Sequence, residues 1–355
     1  MTKRRIVFVG NCQVAAVAIA YQRLVSTKTD DEASYIPSYE SATDEQFKSI
    51  SEAHILVQQV LDFAPKIGDL PTNAAVHFVP MLTARFMWPC SGQSHPRNEA
   101  HPLGDPSGPY NAELGSSFLN RMITAKVSPK EAVERYLNTD IARVRNVGRM
   151  MEILLDKQRA RDLACEYQFA DFINARFRTE RLFRSPNHLE VTLTNRLVIE
   201  IFKRLDVDAL IVEDIEAGSH DQLFPPTETP IHPSVAAYFG LTHAGPQQTY
   251  RYFDEGHFTF EEYAERYMRY EWNPLLVESF ALIRTGQNDA AIELLPRALE
   301  RSHRSAIGWF LFGNLLVERG QFAEALFPAQ RALELEPSNA RFHDFLATID
   351  AKCRG

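Results

Sequence analysis

Two short stretches of this 355-residue chain carry side chains that could do chemistry. The first is Gly10-Asn11-Cys12-Gln13, between a β-rich run (Arg5 to Val9) and a helix-like apolar stretch from Val14 to Leu24. Open parallel sheets bind ligands at the carboxyl ends of their strands. A helix start there adds free N–H groups and the positive end of the helix dipole, both of which favour an anion. A thiol at such a position is biased toward thiolate, the form that acts as a nucleophile. Gly10 permits a tight turn, and the amides of Asn11 and Gln13 could steady an oxyanion. The plainer alternative for Cys12 is a small buried hydrophobe, the usual fate of a free cysteine.

The second stretch is Arg181-Leu182-Phe183-Arg184-Ser185-Pro186-Asn187-His188-Leu189, ahead of an apolar helix that ends near Leu205. Asn187 reads as a helix cap, which puts His188 in the first helical turn. There the dipole opposes an imidazolium, so the ring is expected to stay neutral and able to act as a base. A surface histidine beside a cap is the alternative. From Arg143 to Arg184 ten Lys/Arg face six Asp/Glu. Most of these cations belong on a solvated helix face, but arginine suits bidentate phosphate contacts. Arg178, Arg181 and Arg184 lie nearest the histidine and are the candidates for holding a phosphorylated ligand.

Other constellations are weaker. The segment from Cys90 to Tyr110 is rich in Pro, Gly, Ser and His and long enough to be functional or mobile. Its His95 and His101 could touch a substrate or a metal, although no carboxylate sits at ligand spacing. Glu213, Asp214 and Glu216 close a strand expected over Asp208–Asp214 and could hold a sugar hydroxyl, or form a plain acidic loop. No dinucleotide glycine fingerprint, P-loop or HExxH zinc motif is present.

The elements that must position these residues alternate at first. Strands are expected at Ser34–Tyr39, His54–Val60 and Ala74–Pro80, with a helix from about Asp44 to Ser51. Apolar strands separated by helices indicate a parallel sheet covered on both faces. From about Ala112 to Leu205 the pattern is helical, with a good start at Ser128-Pro129-Lys130-Glu131. Thr259 with Glu262 opens another amphipathic helix reaching about Arg269. At the C-terminus a period of 34 residues appears: Leu316, Gly320, Ala325 and Ala332 match Leu282, Gly286, Ala291 and Ala298.

Composition bounds the function. Hydrophobic residues make up 45% and charged residues 24%, ordinary values for a folded chain. A net charge of −8 provides no global basic field, so no nucleic-acid partner is expected. The four cysteines form no CxxC pair, which points away from a disulfide framework or a cysteine zinc site. Lys3, Arg4 and Arg5 before an apolar stretch, with Ala18-Ile19-Ala20 beyond, imitate a secretory signal. Asn11, Cys12 and Gln13 interrupt that stretch at a cost in a bilayer. A cytoplasmic protein without a membrane span is expected.

Gly-Asn-Cys-Gln after the first strand, the long helical middle and the Leu-Phe…Asn-His element together resemble the WcbI-type polysaccharide-biosynthesis family over about residues 4–210. The resemblance implies a coenzyme A-binding, acetyltransferase-type protein with an α/β subdomain elaborated by helices. It makes Cys12, Gln13, Asn187 and His188 the leading site residues; Gly10 and Asn11, from the turn itself, are further candidates for holding the ligand. The chain departs at Leu189, where many members carry proline. Gly-Asn-Cys is also similar to the Gly-Asp-Ser block of SGNH-type hydrolases, whose base lies in an Asp-x-x-His element. Asp254 and His257 supply that spacing, which arises easily by chance. Residues 272–339 resemble the tetratricopeptide repeat (TPR) family, with Trp309 and Pro337 in the second repeat replaced by Leu275 and His303 in the first. Residues from Arg341 to Lys352 read as a capping helix.

The expected fold is therefore α/β: a small parallel sheet in an SGNH-like subdomain, a large helical elaboration over 1–271, and an all-α TPR-like region over 272–355. The expected function is an O-acetyltransferase that uses acetyl-coenzyme A as co-substrate and a sugar hydroxyl of a surface polysaccharide or its precursor as acceptor. Cys12 would attack the thioester, Gln13 would hold the oxyanion, and His188 would deprotonate the acceptor. In a direct variant Cys12 only lines the site. The alternatives are an SGNH-like esterase, or an interaction protein working through its TPR region with a degenerate front domain. Two repeats are few for independent stability, so they would pack on the front domain, self-associate or hold a protein partner.

Overall fold

The computed structural model describes residues 4–38, 43–60, 73–100, 106–107, 110–216, 228–252, 256–270, 273–337 and 339–354. The chain begins β1 (Arg5–Gly10), α1 (Cys12–Leu24), β2 (Glu32–Pro37), α2 (Asp44–Ser51), β3 (Ile55–Val60) and β4 (Ala75–Pro80). A 3-10 turn (Arg85–Met87) and a hairpin of β5 (Glu99–Ala100) with β6 (Pro106–Ser107) follow. Helices come next: α3 (Ser117–Thr124), α4 (Pro129–Leu137), α5 (Ile141–Val144), α6 (Val147–Cys165), α7 (Phe169–Arg176), α8 (Val191–Arg204), α9 (Ala209–Glu216) and α10 (Pro233–Phe239). After a hairpin of β7 (Thr249–Tyr252) and β8 (Gly256–Thr259), the chain ends in α11 (Phe260–Arg269), α12 (Pro274–Arg284), α13 (Asn288–Arg301), α14 (Ala306–Glu318), α15 (Phe322–Leu335) and α16 (Ala340–Arg354). These elements divide into two compact units, residues 1–89 with 139–260 and residues 90–138 with 261–355. No helix among the described residues is long and apolar enough to cross a membrane.

The first unit holds a four-stranded parallel sheet in the order β2-β1-β3-β4. Side chains alternate along β1, and both sets are apolar. Val7 and Val9 pack with Ile36, Leu56 and Ile50 of α2 on one face. Phe8 meets Tyr21 of α1 at 5.8 Å between ring centroids, and Tyr21 stands edge-on to Phe202 of α8. This two-sided burial is why β1 reads as a continuous apolar run, whereas Val76 and Phe78 of the edge strand β4 are exposed. The expected parallel sheet is present, and α2 spans the expected residues behind a Thr43–Gln46 capping box.

One expected element is wrong in kind. Residues 209–216 form a helix, not a strand. Asp208 starts it, accepting the Leu210 N–H at its carboxylate and the Ile211 N–H at its carbonyl. Ile211, Val212 and Ile215 are buried at helical spacing, which a seven-residue apolar run could not distinguish from a buried strand. Glu213, Asp214 and Glu216 thus ride on a helix rather than at a strand end.

The second unit corrects the reading of His95. The ring is 2% exposed and sits among Tyr110, Tyr267 and Tyr270. Nε2 donates to the Tyr267 carbonyl at 3.1 Å, and Nδ1 accepts the Arg97 N–H at 2.9 Å. Both nitrogens are occupied, so His95 is a satisfied core histidine, unavailable to a metal or substrate. His101 lies outside the described residues. Burial pushes the His95 pKa down to about 4 from an ordinary 6.5. Between those values the unfolded chain takes up a proton that the folded chain refuses, so stability rises with pH across that window. His95→Gln is expected to flatten the fall in melting temperature between pH 6.5 and 4, removing about 2–3 kcal/mol of acid destabilisation. Melting curves at stepped pH, wild type against variant, check this.

Helices α12 with α13 and α14 with α15 pack as consecutive hairpins, and α16 packs on α15. Gly286 and Gly320, 34 residues apart, take φ of +73° and +76° at the two turns, a conformation glycine adopts without strain. Ala291, Ala298, Ala325 and Ala332 are all at 0% exposure, small residues where helices cross.

Candidate functional site

The turn from Gly10 to Gln13 lies at the carboxyl end of β1, beside β3, where the order of the strands reverses. In such sheets this is the point where a crevice opens. Gly10 has no room for a side chain: an added Cβ would stand 2.7 Å from Val14 Cγ2 and 2.9 Å from Gln59 Cβ. Its carbonyl accepts from the Tyr35 hydroxyl and from the Ser38 N–H, both at 2.9 Å. Asn11 caps α1, its Oδ1 accepting the Gln13 N–H at 2.9 Å, while its own N–H donates to Gln59 Oε1 at 2.8 Å. Cys12 is the first helical residue and is half-buried. Its N–H has no acceptor among the described residues.

Gln13 does something the sequence did not reveal. Its side chain is 2% exposed and fully used. Nε2 donates to the Leu82 carbonyl at 2.7 Å and to the Asn187 carbonyl at 2.8 Å. Oε1 accepts from the Leu82 N–H at 3.0 Å and from Gln59 Nε2 at 3.2 Å. Both amide hydrogens are committed, so Gln13 has none left for an oxyanion. It is a clamp joining the cysteine turn, the loop after β4 and the histidine turn.

That histidine turn is a tight hairpin rather than a helix start. Phe183 and Leu189 form an antiparallel bridge, and the Arg184 N–H donates to the His188 carbonyl. Helix α8 begins only at Val191, with Glu190 as its cap, so Asn187 caps nothing and no helix dipole acts on His188 from the first turn. Ser185 organises the hairpin instead. Its Oγ accepts the His188 N–H at 3.2 Å and lies 2.8 Å from His188 Nδ1. Thr83 Oγ1 lies 2.9 Å from the Pro186 carbonyl and 3.1 Å from Asn187 Oδ1, and the Ala84 N–H donates to Pro186. Cys12 and His188 are therefore the immediate neighbours of a directly bonded pair, Gln13 and Asn187.

The candidate arginines fare differently. Arg184 is 5% exposed and its Nε donates to the Leu189 carbonyl, bracing the hairpin. Arg181 is paired with Glu228 and lies over the Tyr250 ring. Arg181 is thus half-buried against a carboxylate and Arg184 buried against its own hairpin, so a phosphate would have to compete with partners that both already have. Arg178 is exposed and lies 4.3 Å over Phe177. Along the helices, Arg149 pairs with Glu152, Arg159 with Asp156 and Arg176 with Glu180, the solvated faces expected. Arg85 was missed: it is exposed, follows Ala84 and has no charged partner among the described residues. Gln59, Thr83 and Ser185 were also missed. A glutamine near the end of an apolar strand was the one available signal.

Asp254 lies outside the described residues, and His257 is on β8. No group of three potential ligands among the described residues could hold a metal.

A four-stranded parallel sheet, with a thiol turn at its carboxyl edge hydrogen-bonded to a histidine hairpin and many helices around it, defines an α/β protein. Residues 5–210 match the family model described as polysaccharide biosynthesis enzyme WcbI. The chain belongs to the WcbI family of polysaccharide biosynthesis enzymes. A solved structure of similar fold is described as WcbI, a novel polysaccharide biosynthesis enzyme, in its native form without a disulfide bond between coenzyme A and one of its cysteines. The likeness covers 94% of this chain and 100% of that one, with a TM-score of 0.54 and 16% identity. No curated protein matches the chain.

Proposed function

We propose that this protein is an O-acetyltransferase that moves an acetyl group from acetyl-coenzyme A to a sugar hydroxyl in polysaccharide biosynthesis. The observation that carries the reading is the Gln13–Asn187 hydrogen bond, which ties the cysteine turn to the histidine turn at the strand ends. The description of the solved WcbI structure, a native form without a disulfide bond between coenzyme A and a cysteine, supports coenzyme A as the ligand.

In this reading the Cys12 sulfur attacks the thioester carbonyl carbon, forming a tetrahedral oxyanion near the open Cys12 N–H. Collapse breaks the bond to the coenzyme A sulfur, which leaves and takes up a proton. The acceptor hydroxyl then attacks the acetyl-cysteine. His188 removes its proton, the new C–O ester bond forms, and the Cys12 thiolate departs. Ser185 holds the ring: with Nδ1–H donating to Ser185 Oγ, Nε2 is the basic nitrogen. Gln13 and Asn187 position the two turns, and Arg85 with Arg178 are the exposed cations for the ligand's phosphates.

Residues 272–355 are read as TPR-like, the buried alanines and the paired turn glycines being the support. The 1–271 and 272–355 division, the cytoplasmic location and a protein partner or self-association of the repeats remain part of this proposal.

Calorimetric titration tests it. Coenzyme A is expected to bind, and free thiol to appear from acetyl-coenzyme A before any acceptor is added. No binding at millimolar coenzyme A would overturn the reading in favour of a repeat scaffold.

A further inference from the structure

Gln59 is buried at 3% exposure near the carboxyl end of β3, in the ladder opposite Val79 of β4. An amide buried in a strand is costly unless its polar atoms are paired. Here both are paired. Oε1 accepts the Asn11 N–H at 2.8 Å, and Nε2 donates to Gln13 Oε1 at 3.2 Å. The partners fix the orientation of the amide: a backbone N–H can only donate, and Gln13 Oε1 already accepts the Leu82 N–H. One side chain thus holds the residue before Cys12 and the residue after it. The peptide plane that carries the Asn11 N–H is also held from its other side. There the Gly10 carbonyl accepts from the Tyr35 hydroxyl and the Ser38 N–H. The Asn11 carbonyl then accepts the Val14 and Ala15 N–H groups, which starts α1.

We propose that Gln59 is a positioning residue of the reaction, fixing the Asn11–Cys12 turn and, through it, the line along which the sulfur meets the thioester. The assignment rests on the transferase reading. It extends the Gln13 clamp by one link. The Asn11 N–H, the Gln59 amide, the Gln13 amide and the Asn187 carbonyl form one chain of hydrogen bonds from the cysteine turn to the histidine hairpin. Gln59 acts through these partners rather than on the substrate. Its loss should therefore lower kcat and leave coenzyme A binding as it is.

The test compares Gln59→Met and Gln59→Glu with wild type by thermal melting, coenzyme A titration, thiol release from acetyl-coenzyme A and iodoacetamide labelling of Cys12. Methionine has similar length and no hydrogen bond to offer. Its kcat should fall roughly 10- to 100-fold with coenzyme A affinity unchanged. Glutamate separates the hold from packing. Protonated, it accepts from Asn11 and donates to Gln13; ionised, it can only accept. Its kcat relative to wild type should be near one at about pH 5 and fall toward the methionine level by about pH 8, as the buried carboxyl ionises. Because methionine carries no charge, a fall shared by both variants comes from the lost bonds and not from a new anion. Lower melting temperatures with wild-type kcat in both variants would overturn the assignment, by showing a structural amide. A flat glutamate ratio across that pH range would overturn it too, and decides the matter if the methionine variant does not fold. A wild type that releases no thiol would sink the transferase reading, and labelling then decides on Gln59. Cys12 labelled at the wild-type rate in both variants would overturn its hold on the turn, and slowed labelling in both would support it.

Discussion

Cys12→Ala is expected to abolish the rapid first release of thiol from acetyl-coenzyme A and to lower steady turnover by about 10³-fold or more. The sulfur sits at the first position of α1, half-buried, and the N–H of the same residue has no acceptor among the described residues. No other cysteine replaces it: Cys90 and Cys165 are buried, and Cys353 is in the C-terminal helix. His188→Ala should behave differently. The first thiol release survives, because attack on the thioester needs only the sulfur. Transfer to the acceptor then slows by roughly 10²–10⁴-fold, the usual worth of a general base. Stopped-flow detection of free thiol, with and without a sugar acceptor, separates the two. An alanine variant at Cys12 with a full first release would leave His188 acting directly on the acceptor.

Gln13→Leu is expected to lower stability by about 3–5 kcal/mol, which places it among the severe single substitutions. Leucine has similar volume and suits a site at 2% exposure, so packing is not the cause. What is lost is four hydrogen bonds, and the Leu82 N–H and carbonyl and the Asn187 carbonyl each lose a partner. A folded domain holds only about 5–15 kcal/mol in reserve, so the melting temperature should fall by roughly 10 °C or more. Gln13→Glu is the sharper companion. It keeps an acceptor for the Leu82 N–H but aims an oxygen at the Leu82 and Asn187 carbonyls. A protonated carboxyl can restore one of those donations, and an ionised one cannot. The Gln13→Glu protein should therefore lose stability as pH rises from 5 to 8, opposite to the His95 effect. Equal melting of the variant at both ends of that range would contradict the clamp.

Part of the frame of this candidate site was legible in the sequence. Gly-Asn-Cys-Gln between a strand and a helix fixed the place of the turn, because β1 and α1 are set by local patterns that tertiary packing did not override. The histidine motif was legible as residues but not as geometry. Ser185 draws the chain into a hairpin through bonds to its own neighbour His188, and side chains that compete with the helix in this way are hard to weigh from sequence. The role of Gln13 was invisible for another reason. Its partners Leu82 and Asn187 are 69 and 174 residues away, and nothing in a single sequence announces contacts at that range. Arg181 and Arg184 show the same limit: an arginine near a motif is equally suited to a ligand phosphate and to Glu228 or a backbone carbonyl. The strand expected at residues 208–214 failed because a short apolar run has no period to read.

The most direct measurement is mass spectrometry of the intact protein and its peptides after brief exposure to acetyl-coenzyme A without acceptor. An acetyl group on the peptide containing Cys12, lost when a sugar acceptor is added to wild type and retained in His188→Ala, is the expected result. No adduct on that peptide, with thiol released at the wild-type rate from Cys12→Ala, would contradict it.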